Sequence, residues 1–263
     1  MPTRVVAIAN QKGGVGKTTT AVNLGAALAI RGKRVLVVDL DPQGNASTGL
    51  GIERGTRARS AYDLLLGDAS ADSLAAPTSV DGLHIIPSDM DLASADAELL
   101  QSPRRVMHLK TALTNRRTSF DHVLLDCPPS LNLVTVNAFV AAGSVLVPLQ
   151  AEFYALEGLS QLLLTVREVR ASANAGLRMD GVLLTMFDRR NRLCQQVEEE
   201  ARRTLGDLVF ETKIPRNVRL SEAPSYGMPI LNYDPTSRGS IAYRALAGEY
   251  LQRTEERLPV DGG

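Results

Sequence analysis

The stretch Asn10-Gln11-Lys12-Gly13-Gly14-Val15-Gly16-Lys17-Thr18-Thr19-Thr20 determines much of the fold, because it lies where a strand passes into a helix. Residues 5–9 before it are apolar and rich in β-branched side chains, which is typical of a buried strand. Residues 21–28 after it repeat apolar side chains at the spacing of one helix face. Backbone N–H groups and the helix dipole favour an anion at such a junction, and glycine lets the backbone curl around a phosphate. The stretch therefore predicts a phosphate-binding loop.

This loop matches the common pattern G-x-x-x-x-G-K-[ST] with one departure. Gly16, Lys17 and Thr18 fit the end of the pattern, but Gln11 stands in place of the first glycine and Lys12 follows it. In such a loop the lysine reaches the β- and γ-phosphates, and the hydroxyl after it holds Mg²⁺. We therefore expect the chain to bind a nucleotide together with Mg²⁺.

The composition is that of an ordinary globular protein. The 263 residues suffice for one large α/β domain, with 44% hydrophobic and 22% charged residues. The 29 basic and 29 acidic residues balance, so nucleic-acid binding would need a local patch. No leader pattern and no apolar run near the ~20 residues of a membrane span occur, and Cys127 and Cys194 lack metal-ligand spacing. We expect a cytoplasmic protein that does not bind membranes.

Strands and helices alternate along the chain. The predicted strands are Val5–Ala9, Arg34–Asp39, Leu83–Pro87, Asp121–Asp126, Ser144–Gln150, Gly181–Phe187 and Thr212–Pro215. The predicted helices follow the loop and then span Ser60–Leu66, Asp91–Leu100, Arg104–Asn115, Leu131–Ala142, Ala155–Ala171, Leu193–Leu205 and Ser237–Arg253. This alternation predicts a doubly wound α/β fold, a mainly parallel sheet with helices on both faces. Without an internal repeat or a clear linker, residues 1–263 are expected to form a single domain with a loose tail at about 255–263.

Acidic residues follow two of these strands, at the edge where open parallel sheets bind ligands. Asp126 closes an apolar strand and is predicted to hold Mg²⁺, directly or through water. Asp39 and Asp41 are separated by one residue, so in an extended segment their side chains point the same way. One of the two would support the metal and the other would orient the attacking water.

The run from Lys12 to Thr18 resembles the deviant Walker A loop of the ParA/MinD family of P-loop ATPases. The resemblance implies that Lys12 reaches the nucleotide of a partner subunit and acts in catalysis with Lys17, and that Asp41 takes the catalytic place in a switch segment at 39–45. It leaves Asp39, Thr18 and Asp126 for the metal. The ATP-binding residues that it implies are Lys12, Gly13, Gly14, Val15, Gly16, Lys17, Thr18 and Thr19, with Pro215 and Asn217 beside the adenine.

Residues 154–159 and 214–224 resemble the chromosome-partitioning ParA/Soj branch of this family. This resemblance implies a slow ATPase that forms an ATP-dependent homodimer on nonspecific double-stranded DNA, with a ParB-type partner that stimulates hydrolysis and release. Such a protein would be cytoplasmic and nucleoid-associated. Because the loop begins at residue 12, an N-terminal helix-turn-helix extension and sequence-specific DNA reading are not expected.

The candidate DNA-binding residues are Arg190, Arg216 and Arg219. The segment 188–219 also carries six acids, so the residues alone are most typical of a solvated face. Resemblance assigns Arg190 and Arg219 to DNA, and dimerisation would double the patch and make the affinity depend on ATP. Glu152 is either a partner for a lysine at the dimer interface or a solvated loop acid.

Three other kinds of ATPase are alternatives to this function. A ParA-like positioning ATPase with a cargo other than DNA remains the main alternative. A MinD-like membrane ATPase is disfavoured because residues 249–257 have mixed charge and few apolar anchors. An iron–sulfur ATPase is disfavoured because Cys127 and Cys194 lie in different elements.

Overall fold

The computed structural model describes residues 3–57, 59–67, 69–114, 118–152 and 155–256. Its strands are β1 Arg4–Ile8, β2 Val35–Asp39, β3 Ala76–Pro77, β4 Leu83–Ile86, β5 His122–Asp126, β6 Ser144–Gln150 and β7 Arg178–Thr185. They form one sheet in the order β3-β4-β2-β5-β1-β6-β7. Only the pair of β3 and β4 is antiparallel among these strands, so the prediction of a mainly parallel sheet is confirmed.

Helices connect the strands. The α-helices are α1 Lys17–Ile30, α2 Asn45–Gly49, α3 Ala61–Leu66, α4 Ala71–Leu74, α5 Ala95–Leu100, α6 His108–Thr114, α7 Leu133–Ala141, α8 Ala155–Ser172, α9 Arg192–Leu205, α10 Val218–Glu222, α11 Ile230–Tyr233 and α12 Arg238–Glu256. Short 3-10 helices span Arg54–Thr56, Met90–Ser94, Gly206–Leu208 and Ala223–Tyr226. Within the described residues, no helix combines the length and the apolar character that crossing a membrane requires.

The sheet is covered on both faces because strand side chains alternate between them. Val6 of β1 belongs to the core that contains Leu24 of α1 and Tyr243 of α12. Its neighbour Ala7 belongs to the core that contains Phe139 of α7. Helix α1 lies close to the sheet at Gly25, where an added Cβ would come within 3.2 Å of side chains on two strands. The loop before α1 is thereby fixed against the carboxyl edge of the sheet.

Several predicted elements differ from the structure. Residues 212–215 form no strand, because the chain there makes only the isolated bridge between Phe187 and Pro215 after β7 has ended. The predicted helix Asp91–Leu100 starts as the 3-10 helix Met90–Ser94, and only α5 is α-helical. Helix α12 extends to Glu256, and the rest of the predicted tail lies outside the described residues, as does Tyr154.

Candidate nucleotide-binding site

The strand register brings the phosphate loop and the predicted acids to one edge of the sheet. Ile8 at the end of β1 and Asp39 at the end of β2 both pair with Asp126 at the end of β5. A cavity of about 540 Å³ opens there. Its walls include Gly13, Gly14, Gly16, Lys17, Thr18, Thr19, Asp41, Gln43, Asn45, Pro129, Met186 and Met228.

The loop itself is shaped by glycines and braced by polar side chains. Gly14 and Gly16 have φ angles of 75° and 90°, a region that favours glycine. Gly16 caps α1 without any side-chain hydrogen bond, so the first amides of the helix remain available for an anion. The Asn10 side chain accepts from the Lys12 N–H at 3.0 Å and donates to the Pro148 carbonyl at 2.7 Å. These contacts hold the mouth of the loop before any ligand binds.

Lys17 lies inside the loop and is almost fully buried. Its Nζ donates to the Lys12 carbonyl at 3.0 Å. Burial lowers the pKa of Lys17, and the charges of Asp126 and Asp41 act in the opposite direction. The anionic phosphates of a nucleotide would therefore stabilise the charged form of this lysine.

The two fully buried acids have different environments. Asp39 accepts hydrogen bonds from the Ser47 N–H at 2.8 Å and the Ser47 hydroxyl at 2.7 Å. Burial raises the pKa of Asp39 to about 6. Neither oxygen of Asp126 has a hydrogen-bond partner of normal geometry among the described residues, although the nearby Thr18 hydroxyl lowers the pKa of this carboxyl. Burial, followed by the charge of Asp39, raises the pKa of Asp126 well above its usual range.

The orphaned oxygens of Asp126 fit a magnesium ion. Mg²⁺ prefers oxygen ligands and commonly takes one or two carboxylates, with phosphates and water completing its coordination. Among the described residues, no group of three His, Cys, Asp or Glu side chains could hold a metal by itself. Asp126 and Thr18 would hold Mg²⁺ together with the phosphates of a nucleotide, whereas the protein already satisfies Asp39.

Asp41 differs from Asp39 because it lines the cavity. Its Oδ1 accepts from the Gln43 N–H at 3.0 Å, and its side chain is only partly buried. The spacing of Asp39 and Asp41 in the sequence does not tell which acid has which role. Their burial and contacts in the structure do. Asp39 braces the protein interior, and Asp41 faces the space where a ligand would bind.

A second cavity of about 360 Å³ adjoins the first and includes Pro215 and Asn217 among its walls. Met186 lines both cavities and has a positive φ of 51°, which is unusual for a residue other than glycine. Thr185 before it donates from its hydroxyl to the Val15 carbonyl at 2.8 Å. The sequence does not identify Thr185 and Met186 as site residues, because only the position of β7 in the folded sheet brings them to the phosphate loop. No sequence pattern indicates the positive φ of Met186.

Lys12 does not line the cavity. Its Nζ forms an ion pair with Glu152 of the same chain at 2.5 Å, and the two side chains are 45% and 43% exposed. Glu152 also accepts from the Gln150 side chain. Cys127 next to Asp126 is buried, and burial raises the pKa of its thiol far above the usual range, which disfavours the thiolate form that a nucleophile needs.

The three predicted DNA-binding arginines differ in their surroundings. Arg190 and Arg216 line one groove of about 890 Å³. The Arg190 side chain is 92% exposed and pairs only loosely with Asp188, at 3.3 Å. Arg219 lies outside that groove on α10, where Glu222 at 2.9 Å and Asp234 at 3.6 Å hold its guanidinium.

A strand–loop–helix phosphate site with a buried lysine, and with an acid at the end of a neighbouring strand, defines a P-loop nucleotide hydrolase. The AAA domain family matches residues 3–179 of the chain. The chain is 55% identical to the chromosome partitioning protein ParA of Caulobacter vibrioides, covering 97% of each chain. It is 54% identical to the sporulation initiation inhibitor protein Soj of Bacillus subtilis, covering 94% of this chain and 97% of that protein.

Among solved structures, the fold is similar to the cell division ATPase MinD of Pyrococcus furiosus, with a TM-score of 0.77, 26% identity, and coverage of 95% and 98% of the two chains. A Mycobacterium smegmatis protein described as cobyrinic acid a,c-diamide synthase, with bound ADP and magnesium, has a TM-score of 0.83 and 38% identity, with 96% of each chain covered. The chain belongs to the ParA/MinD family of ATPases and groups with its ParA/Soj members. It is an ATPase that uses ATP and Mg²⁺.

Proposed function

We propose that this ATPase drives DNA partitioning by switching between a monomer and an ATP-bound homodimer. The dimer binds double-stranded DNA without sequence preference, and a ParB-type partner stimulates hydrolysis and release. The observation that carries the proposal is the position of Lys12, which lies at the mouth of the loop, half exposed and outside the cavity that Lys17 lines. A lysine in that position is available to a second subunit. The partitioning role of the ParA relative in Caulobacter vibrioides supports the assignment.

Hydrolysis then depends on positioning and charge neutralisation, since phosphoryl transfer needs little covalent chemistry from the protein. Lys17 and the amides of the loop bind the β- and γ-phosphates, while Asp126 and Thr18 hold Mg²⁺, which neutralises charge on the phosphate oxygens. Asp41 faces the cavity and orients the attacking water. Lys12 of the second subunit adds a positive charge at the γ-phosphate, so hydrolysis waits for assembly.

Nucleotide binding and dimerisation are coupled through Lys12. In the monomer its ammonium pairs with Glu152, and this contact must break before the lysine can reach another subunit. ATP shifts the equilibrium because the dimer makes contacts with the triphosphate that the monomer lacks. Loss of the γ-phosphate removes those contacts and lets the lysine return to Glu152.

DNA binding in this scheme uses the groove that contains Arg190 and Arg216. Cationic side chains aimed at phosphates give an affinity that is independent of sequence and falls with salt. Arg219 adds to the DNA affinity either after its guanidinium leaves Glu222 or while the guanidinium contacts Glu222 and a DNA phosphate together. Two copies of the patch bind a duplex more tightly than one, so the ATP-bound form is nucleoid-associated in the cytoplasm.

The test is binding to a duplex of arbitrary sequence with ATP, with ADP and without nucleotide, using Asp41→Ala to suppress hydrolysis. We expect tight binding only with ATP, with an affinity that decreases as the salt concentration rises. A control with Arg190→Ala and Arg216→Ala together should still dimerise with ATP but lose the duplex. If the Asp41→Ala protein with Arg190 and Arg216 intact dimerises with ATP but does not bind the duplex at low salt, DNA partitioning is refuted and a different cargo is favoured.

A further inference from the structure

Arg57 is a buried arginine whose guanidinium is bound by uncharged oxygens. The residue is 8% exposed, and no carboxylate among the described residues lies within ion-pair distance of it. Its Nη1 donates to the Ser88 carbonyl at 2.9 Å. Its Nη2 donates to the Thr48 hydroxyl at 2.9 Å and to the Ile52 carbonyl at 2.8 Å. Burying a cation without a counter-ion costs free energy, which these hydrogen bonds must offset.

These contacts join two loops at the carboxyl edge of the sheet. Thr48 and Ile52 belong to the segment 41–52, here called the acid loop, which follows β2 and begins with Asp41. Ser88 follows β4, the strand that pairs with β2. Arg57 therefore ties the acid loop to the end of the neighbouring strand, although Arg57 itself does not line the nucleotide cavity.

The contact with the acid loop extends to the turn that contains Asp41. The Gly44 N–H donates to the Asp41 carbonyl at 2.9 Å, and Gly44 has a φ of 64°. The Arg57 guanidinium packs directly on Gly44, since a methyl group added at Gly44 would overlap it. The Gly44 carbonyl lies 3.4 Å from Arg57 Nη2. A shift of Arg57 would thus release the turn that sets the direction of the Asp41 side chain.

We infer that Arg57 is a positioning residue for hydrolysis, which holds the acid loop in the conformation where Asp41 faces the cavity. This inference rests on the proposed role of Asp41. The planar fork of an arginine reaches acceptors on both sides at once, whereas a lysine has a single nitrogen. A lysine at position 57 would keep the positive charge but not the several hydrogen bonds, so it should not hold the acid loop in place.

The variants that test the inference are Arg57→Lys and Arg57→Ala, with Arg59→Ala as the matched control. Arg59 lies two residues away, is exposed, and has no side-chain hydrogen bond or ion pair with a described residue. We expect both Arg57 variants to lower kcat for ATP by about tenfold to a hundredfold, the loss typical of a displaced reacting group. The Kd for MgATP and the extent of ATP-dependent dimerisation should change much less than kcat, because Arg57 does not line the cavity and the phosphate loop, which supplies most of the phosphate contacts, keeps its own bracing. Hydrogen–deuterium exchange should rise in residues 43–52 and stay unchanged in residues 12–20.

The result that overturns the inference is a normal kcat in Arg57→Lys, or a loss of kcat accompanied by equal loss of MgATP affinity. Thermal unfolding identifies a variant that fails to fold, and Arg57→Lys keeps the charge and most of the hydrocarbon if Arg57→Ala does not fold. Asp41→Ala measured alongside separates the two proposals. If Asp41→Ala loses hydrolysis but Arg57→Lys does not, only the role of Arg57 is refuted. If Asp41→Ala hydrolyses ATP normally, the proposed role of Asp41 and the inference both fail.

Discussion

Replacing Glu152 by glutamine tests whether this acid holds Lys12 within one chain or acts across a dimer interface. The variant keeps the shape of the side chain and removes the negative charge. If Glu152 binds Lys12 within one chain and thereby opposes dimerisation, Glu152→Gln frees Lys12 and should favour the ATP-dependent dimer. If Glu152 instead meets a lysine of the second subunit, the same change should weaken the dimer. The sign of the effect therefore distinguishes the two roles.

The magnitude follows from the exposure of the pair. With side chains 45% and 43% exposed, Lys12–Glu152 belongs with surface ion pairs, which contribute roughly 0–1 kcal/mol. Each dimer would break two such pairs, so removing them should tighten dimerisation by at most about 2 kcal/mol, or about 30-fold. The gain should shrink as salt rises, because exposed charges are screened over ~10 Å at 0.1 M ionic strength.

Sedimentation velocity with ATP, in an Asp41→Ala background that suppresses hydrolysis, measures the dimer constant. Glu200→Gln is the matched control, since Glu200 is 42% exposed and pairs with Arg203 on α9. The control should leave the dimer constant unchanged. A Glu152→Gln dimer weaker than the control dimer would refute the intrachain role and assign Glu152 to the interface.

Three further outcomes are expected. Lys12→Ala should prevent the ATP-dependent dimer while the Kd for MgATP is retained, and normal dimerisation by sedimentation would contradict the role of Lys12. Arg219→Ala should spare the dimer and reduce duplex affinity less than Arg190→Ala in a salt titration, because Glu222 already neutralises Arg219. Asp126→Asn should abolish hydrolysis yet stabilise the ligand-free protein at pH 7 by about 1–3 kcal/mol, since the raised pKa of Asp126 makes its charged form costly. Thermal unfolding should show this gain shrink as the pH falls through the ordinary pKa of an aspartate, ~3.9, and vanish by about pH 2–3, where the carboxyl is protonated in both folded and unfolded protein.

The phosphate loop and the acids could be predicted because each follows an apolar strand in the sequence. Parallel strands bring their carboxyl ends to one edge, so residues such as Lys17 and Asp126 converge whatever the length of chain between them. The prediction of a strand failed at 212–215, where a short segment at the margin of the sheet makes one isolated bridge and no ladder. A short sequence pattern does not show whether a neighbouring strand extends far enough to pair with the segment.

Arg57 and Met186 could not be found in this way. Arg57 lies in a polar segment without periodicity, and its acceptors are mostly backbone carbonyls, which every residue has. Met186 is distinguished by a backbone angle that no composition encodes. Likewise the sequence predicts either an interface role or a solvated position for Glu152, whereas in the structure Glu152 pairs with Lys12 of the same chain.

The charges of the site explain why metal and nucleotide should bind together. Burial disfavours the charged forms of Lys17, Asp39 and Asp126 alike, so the protein alone supplies a desolvated cation and two desolvated acids. Asp39 is compensated by Ser47, but neither oxygen of Asp126 has a hydrogen-bond partner of normal geometry among the described residues. A metal alone would find one free carboxylate, and a triphosphate alone would face that carboxylate's charge. Only MgATP supplies both the cation that Asp126 lacks and the anion that Lys17 lacks, so each half of the ligand increases the affinity for the other.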